Sequence, residues 1–293
     1  MGSEQIINWY PGHMTKAVRQ MKEDIKLIDL IIEVLDARIP LSSRNPDIDE
    51  LGKNRSRLVL LNKADLADEQ INKEWISYFE DKGIFCLEIN SKNKSGFAKI
   101  QEKVKEACKE KIERDKKRGI INRPVRAMVV GIPNVGKSTF INSYSGKAAA
   151  KTGNKPGVTK GKQWIKLNKQ LELLDTPGIL WPKFEDKQTG LNLAYIGSIN
   201  DEILVMEELA CNFIEQMLNY YPDRIKKAYN IEDECLKAHE LLEKIAVKRG
   251  CILKASQPDI SKASRLLFDD FRSGKFGRIS LERPQSSERK KDD

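Results

Sequence analysis

The sequence predicts an α/β domain with a mostly parallel sheet, its parts joined in a permuted order, followed by a smaller all-helical domain. Three observations carry this reading. Short, β-branched apolar runs alternate with charged amphipathic stretches up to Leu180, the pattern of strands joined by crossover helices. A glycine-rich loop, GIPNVGKSTF at residues 131 to 140, lies between a strand and a helix in mid-chain rather than near its start. Beyond Leu180 the β-like runs stop and helical periodicity takes over.

Residues 27 to 39, LIDLIIEVLDARI, are almost continuously apolar, as a strand buried on both faces should be. Residues 57 to 61 repeat the pattern, 70 to 82 read as helix, and 84 to 89 as another strand. Residues 96 to 118 read as one long charged helix. Residues 125 to 130 form a strand running into the glycine-rich loop, and 137 to 144 continue as helix. Two short strands, 163 to 167 and 171 to 174, are close enough to pair. In the second domain Asn200 should cap a helix with acids at its positive end, its apolar stripe being Ile203, Met206, Ala210, Phe213, Ile214 and Met217. Helices over 232 to 249 and 258 to 272 come next, stopped by Gly250 and Gly274. The domains are expected at 1 to 190 and 191 to 283, with a charged, flexible tail from 284 to 293.

Composition narrows the partners. Lys and Arg number 52 against 43 Asp and Glu, so the formal charge is +9 and a polyanionic partner is indicated alongside plain solubility charge. Five scattered cysteines, Cys86, Cys108, Cys211, Cys235 and Cys251, contain no C-x-x-C pair and disfavour a zinc ribbon or a disulfide framework. No run approaches the roughly 18 apolar residues of a membrane span. The expectation is a cytoplasmic protein without a membrane partner.

Gly131-x-x-x-x-Gly136-Lys137-Ser138 is a P-loop match between strand and helix, the context that gives it meaning. Backbone amides from Asn134 and Val135 through Gly136, Lys137, Ser138 and Thr139 suit phosphate oxygens, Lys137 the β- and γ-phosphates, and the Ser138 hydroxyl Mg²⁺. Downstream, Asp175-Thr176-Pro177-Gly178 ends a strand: Asp175 would hold Mg²⁺ through water and the Gly178 amide would meet the γ-phosphate. Thr159, in the connecting segment, would complete the Mg²⁺ shell. Upstream of all these, Asn62-Lys63-Ala64-Asp65 follows a buried strand directly. The Asp65 carboxylate can accept from both N1–H and the exocyclic amine of guanine, a donor pair adenine lacks. Lys63 can lie along the base, and Asn62 can tie loops together. Asn90-Ser91, after the next strand, stands where a backbone amide would read guanine O6.

An ordinary Ras-like GTPase has its phosphate loop first. Here the base-reading tetrad precedes it, which a parallel sheet tolerates when old termini are joined and the chain is opened elsewhere. The first domain therefore reads as a circularly permuted Ras-like P-loop GTPase domain binding GTP and GDP. The segment after Gly178 then leads straight into the helical domain, so ordering of that segment by the γ-phosphate could move it.

The ordered set Asn8-Trp9-Tyr10-Pro11-Gly12-His13-Met14, Asp36-Ala37-Arg38-Ile39-Pro40, Ser43-Arg44-Asn45-Pro46, N-K-A-D, G-I-P-N-V-G-K-S, P-G-V-T, D-T-P-G-I-L-W-P and Lys275-Phe276-Gly277-Arg278 resembles the ribosome biogenesis GTPase A family over nearly the whole chain. The resemblance implies a bacterial factor in late maturation of the large (50S) ribosomal subunit, with GTP hydrolysis stimulated by the particle, rRNA as partner, and a monomer off the ribosome. Lys160 stands where a second threonine is frequent, leaving metal coordination to Thr159. Ile179 occupies the place of the water-orienting glutamine, and an aliphatic chain cannot orient water. By resemblance His13 is the catalytic candidate, the alternative being that it packs or touches RNA. Asn134 resembles loops of GTPases that use K⁺ beside the phosphates, the alternative being an ordinary polar loop residue. The basic run Lys109, Lys111, Arg114, Lys116, Lys117, Arg118, Arg123 and Arg126 reads as an RNA-phosphate face or as a solvated helix paired with its interleaved acids. Lys275, Phe276 and Arg278 read as a small basic-aromatic patch.

Overall fold

The central strand β1 (Leu30–Asp36) is buried along its full length, as its almost continuous apolar run, interrupted only by Glu33, leads one to expect. Around it the computed structural model describes residues 19, 21–121, 123–146, 163–176, 186–233 and 237–284, with the backbone alone at Gln163, Asp175 and Ala255. The chain divides into two compact units, Met1–Glu185 with Glu282–Asp293, and Asp186–Leu281.

In the first unit, β1, β2 (Ser56–Asn62), β3 (Phe85–Glu88), β4 (Val125–Val130), β5 (Gln163–Lys166) and β6 (Leu171–Asp175) form one sheet in the order β3-β2-β1-β4-β6-β5. Neighbours are parallel except β5, which pairs antiparallel with β6. Numbered from β4, the strand that leads into the phosphate loop, the order becomes that of an uninterrupted Ras-like sheet. The chain builds one half first, β1 to β3, and the phosphate-loop half second. The domain is thus circularly permuted, and its central pair β1 and β4 forms a switch point whose carboxyl ends open a ligand crevice.

Helices α1 (Asp47–Leu51), α2 (Glu69–Asp81), α3 (Phe97–Ala107), α4 (Lys109–Lys117) and α5 (Lys137–Ser145) accompany the sheet. Asp68 starts α2 by accepting from the Gln70 and Ile71 amides, and α2 packs Ile71, Trp75 and Phe79 on Leu35, Val59 and Leu61. The predicted single helix over 96 to 118 is two helices meeting at Cys108. Cys108 is buried, and beyond it Lys111 pairs with Asp29, which precedes β1, at 3.4 Å; tertiary anchoring bends a stretch that propensity alone reads as continuous.

The second unit contains α6 (Lys187–Tyr195), α7 (Met206–Tyr220), α8 (Arg224–Tyr229), α9 (Ala238–Lys248) and α10 (Ile260–Ser273). Asn200 caps only a 3₁₀ turn, Asp201–Ile203, and α7 begins at Met206. Ile203, expected in the apolar stripe, is 53% exposed, while Met206, Ala210, Phe213, Ile214 and Met217 are buried. The carboxylate of Asp201 is claimed instead by Arg272, at 2.7 and 2.9 Å. The helix expected from 232 begins at Ala238, and α6 and α8 were not predicted.

Candidate active site

The phosphate loop takes its shape from two tight approaches. A side chain at Gly131 would bring its Cβ to 2.7 Å from the Val34 carbonyl oxygen, and one at Gly136 to 2.4 Å from Asn62 Nδ2. Gly136 also has φ +92, and Asn134 φ 65. Both glycines are therefore demanded by geometry, as the sequence pattern implied. The loop delivers the chain to α5, whose first residue, Lys137, is buried and donates its ammonium to the Thr176 carbonyl. Thr176 in turn donates its hydroxyl to the Val129 carbonyl at 2.7 Å. The P-loop lysine, the half-buried Ser138 and the carboxyl end of β6, where Asp175 stands, thus meet at one end of the sheet.

The tetrad meets the same loop. Asn62 donates Nδ2 to the Val135 carbonyl at 2.7 Å, and its Oδ1 accepts from the amide and hydroxyl of Ser91 at 3.0 and 2.8 Å. One buried side chain therefore joins the phosphate loop, its own loop and the Asn90-Ser91 loop. Asn90 shapes that third loop by accepting from the amides of Lys92 and Asn93 at 2.8 and 3.2 Å. Lys63, with a left-handed φ of 58, donates its ammonium to the Asn134 carbonyl at 2.7 Å. The turn Ala64–Leu66 comes next and holds Asp65 exposed, as a base-reading carboxylate must be. Thr139 follows Ser138 in the first turn of α5.

Residues not singled out as part of the site hold this arrangement. Asp36, at the end of β1, pairs in register with Asn62. Its carboxylate takes Arg38 through Nε and Nη2 at 2.9 and 2.8 Å and Lys63 Nζ at 2.9 Å. Burial opposes its ionisation, but the Arg38 and Lys63 charges outweigh that and hold the carboxyl below the usual carboxylate range. Burial pulls Lys63 below the ordinary lysine value despite Asp36. The signal is in the sequence: an Asp at the carboxyl end of a fully buried strand is costly unless it is placed to hold a cation.

His13, Thr159 and Gly178 lie outside the described residues, as does the side chain of Asp175. In the basic run, Lys111 pairs with Asp29 and Asp115, Arg123 with Asp29, and Arg126 with Glu172, while Lys109, Arg114, Lys116, Lys117 and Arg118 are exposed. The expected patch around Phe276 is corrected: Phe276 is 3% exposed and packs near Phe213 and Tyr229, and Lys275 pairs with Asp270 at 2.9 Å.

A family model described as 50S ribosome-binding GTPase matches residues 126–245. The ribosome biogenesis GTPase A of Bacillus cereus is 48% identical, over 96% of this chain and 95% of its own. The chain belongs to the ribosome biogenesis GTPase A family. The Thermotoga maritima member is 34% identical over 95% of both chains. A GNP-bound YlqF structure from T. maritima matches with a TM-score of 0.64 and 28% identity, over 92% of this chain and 99% of that one. As a ribosome biogenesis GTPase A family member, the protein is a GTPase acting in ribosome biogenesis and hydrolyses GTP to GDP and phosphate. In this member Asn62 joins the base-side loops to the glycine-shaped phosphate loop.

Proposed function

We propose that this GTPase acts as an assembly factor in late maturation of the large ribosomal subunit, binding its precursor in the cytoplasm and accelerating GTP hydrolysis when it does so. The relatives' names and the +9 charge support a ribosomal, RNA-rich partner. The observation that carries the nucleotide half is the single side chain Asn62 bonded to both Val135 and Ser91, because it fixes the phosphate loop and the base-reading loops in one frame.

In this reading Asp65 reads the guanine edge, Ser91 presents its amide near O6, and the loop amides of Asn134 to Thr139 with Lys137 receive the phosphates. Hydroxyl and carboxylate oxygens are the donors that suit Mg²⁺, and Lys137 bonded to Thr176 brings the backbone positions of Ser138 and Asp175 to one end of the sheet. Ser138, Thr159 and Asp175 would hold the ion, which supplies charge neutralisation at the β- and γ-phosphates. Asn134 would serve a K⁺ ion beside them. Since Ile179 cannot orient water, His13 is assigned that task.

The test measures GTP turnover by wild type and His13→Ala, with and without large-subunit particles, in K⁺ and in Na⁺, with GTP binding measured in parallel. Stimulation of wild type alone, with equal GTP and particle binding by the variant, is the expected outcome. Absence of particle stimulation in either salt would refute the ribosome-coupled mechanism, and stimulation of His13→Ala equal to wild type would remove His13 from catalysis.

A further inference from the structure

The helical unit is inserted between two segments that both touch the nucleotide-binding machinery. On the way out, Thr176 accepts from Lys137. On the way back, the first residue to rejoin the first unit is Glu282. Its carboxylate accepts from the Leu41 amide at 2.8 Å and the Ser42 amide at 3.0 Å, and also from the Ser42 hydroxyl. Its carbonyl accepts the indole N–H of the fully buried Trp75 at 3.4 Å. A carboxylate placed on two successive amides and a hydroxyl is a charge-assisted fork, stronger than neutral pairs.

The segment it grips lies directly behind the guanine-reading loop. Ser43, next to Ser42 and fully buried, accepts from the Asp36 amide at 3.1 Å. The Asp36 carboxylate holds the Lys63 ammonium, which donates to the Asn134 carbonyl of the phosphate loop. The Ala37 amide also donates to the Asn62 carbonyl at 2.9 Å. Residues 36 to 43 are thus fastened on one side by the tetrad and on the other by Glu282. The turn that the carboxylate caps is itself tied to β1 through Ser43 and Asp36.

We propose that Glu282 is a positioning residue for the guanine-reading loop, and that its grip on Leu41 and Ser42 sets how long guanine nucleotide stays bound. The return of the chain from the helical unit then becomes a control point for nucleotide release: drawing Glu282 away loosens Asp36 and with it Lys63. The inference rests on the guanine-reading role of the tetrad. The two fail differently, since Asp65→Asn leaves guanine binding untouched only if that role is wrong.

The experiment tracks dissociation of fluorescently labelled GDP from the full-length protein by stopped flow, for wild type, Glu282→Gln, Ser42→Ala and the double variant, with Glu172→Gln as a surface-acid control. Glu282→Gln should release GDP about 5- to 10-fold faster and Ser42→Ala about 2- to 3-fold faster, while Glu172→Gln stays at the wild-type rate. The double variant should release no faster than Glu282→Gln, because both changes break one fork. The preference for GDP over IDP, which lacks the exocyclic amine, should narrow with Glu282→Gln. A Glu282→Gln protein that is folded, melts lower and releases GDP at the wild-type rate would overturn the proposal in favour of a purely structural staple. If Glu282→Gln does not fold, Ser42→Ala decides: faster release supports the grip and an unchanged rate overturns it.

Discussion

At the carboxyl ends of β1 and β2 the first unit buries charge, whereas the second unit buries rings. Asp36 and Arg38 are 0% and 1% exposed and meet Lys63 of the Asn62–Asp65 loop. In the second unit Tyr195, Phe213, Phe268, Phe271 and Phe276 form one aromatic cluster, with ring centroids 4.8 to 6.5 Å apart. Aromatic packing gives stability through area and shape without strict demands on any single atom. A buried ion pair gives little net stability, because desolvation cancels much of its attraction, but it fixes direction. The difference teaches where this protein needs atoms held at defined positions and where it needs only a filled core.

Four substitutions would break or sharpen that contrast. Lys137→Ala should lower GTP turnover about 10³-fold, roughly 4 kcal/mol of transition-state stabilisation, with little change in melting temperature. Turnover near wild type would show that this lysine is not at the phosphates. Phe213→Ala should do the reverse, costing about 3–4 kcal/mol of stability by denaturant melts while the folded fraction keeps its GTP affinity. A loss of affinity in folded Phe213→Ala protein would erase the distinction between the two regions.

Asp36→Asn should cost about 3 kcal/mol, because it leaves the buried Arg38 and the half-buried Lys63 without their counter-charge. It should also weaken guanine nucleotide binding. The sign with pH comes from the depressed carboxyl: the Asp36 contribution is fully present above the unfolded value near 3.8 and is lost as pH falls below it towards the folded value. Wild type and Asp36→Asn should therefore differ at neutral pH and converge in acid melts below about pH 4. A gap that widens in acid would mean the carboxyl is not held ionised by its partners. The smallest effect belongs to Glu172→Gln, whose pair with Arg126 at 3.6 Å is 43% exposed on the arginine side. Thermal melts should show at most about 0.5 kcal/mol.

The sequence by itself determined the parts whose chemistry depends on local backbone shape. Gly131 and Gly136 are readable because a Cβ there would strike Val34 and Asn62, so the spacing of glycines is the signal. The tetrad 62 to 65 is readable because it follows a strand whose apolar run, Leu58 to Leu61, marks it as buried. Even the permuted order could be read, since strands, loops and their succession are written along the chain. Only the tertiary structure decided how distant side chains pair. The helical stretch 96 to 118 contains no helix breaker near Cys108, yet it divides there because the Lys111–Asp29 pair anchors α4 beside the start of β1. Ile203 leaves the stripe because Arg272, in the last turn of α10, takes Asp201. Asp36 beneath Lys63 and Glu282 on Leu41 and Ser42 are long-range bonds between residue types that occur everywhere on protein surfaces. Local patterns encode conformation, which each residue carries with it; a polar contact across the fold depends on where two separate segments arrive, and no spacing along the chain records that.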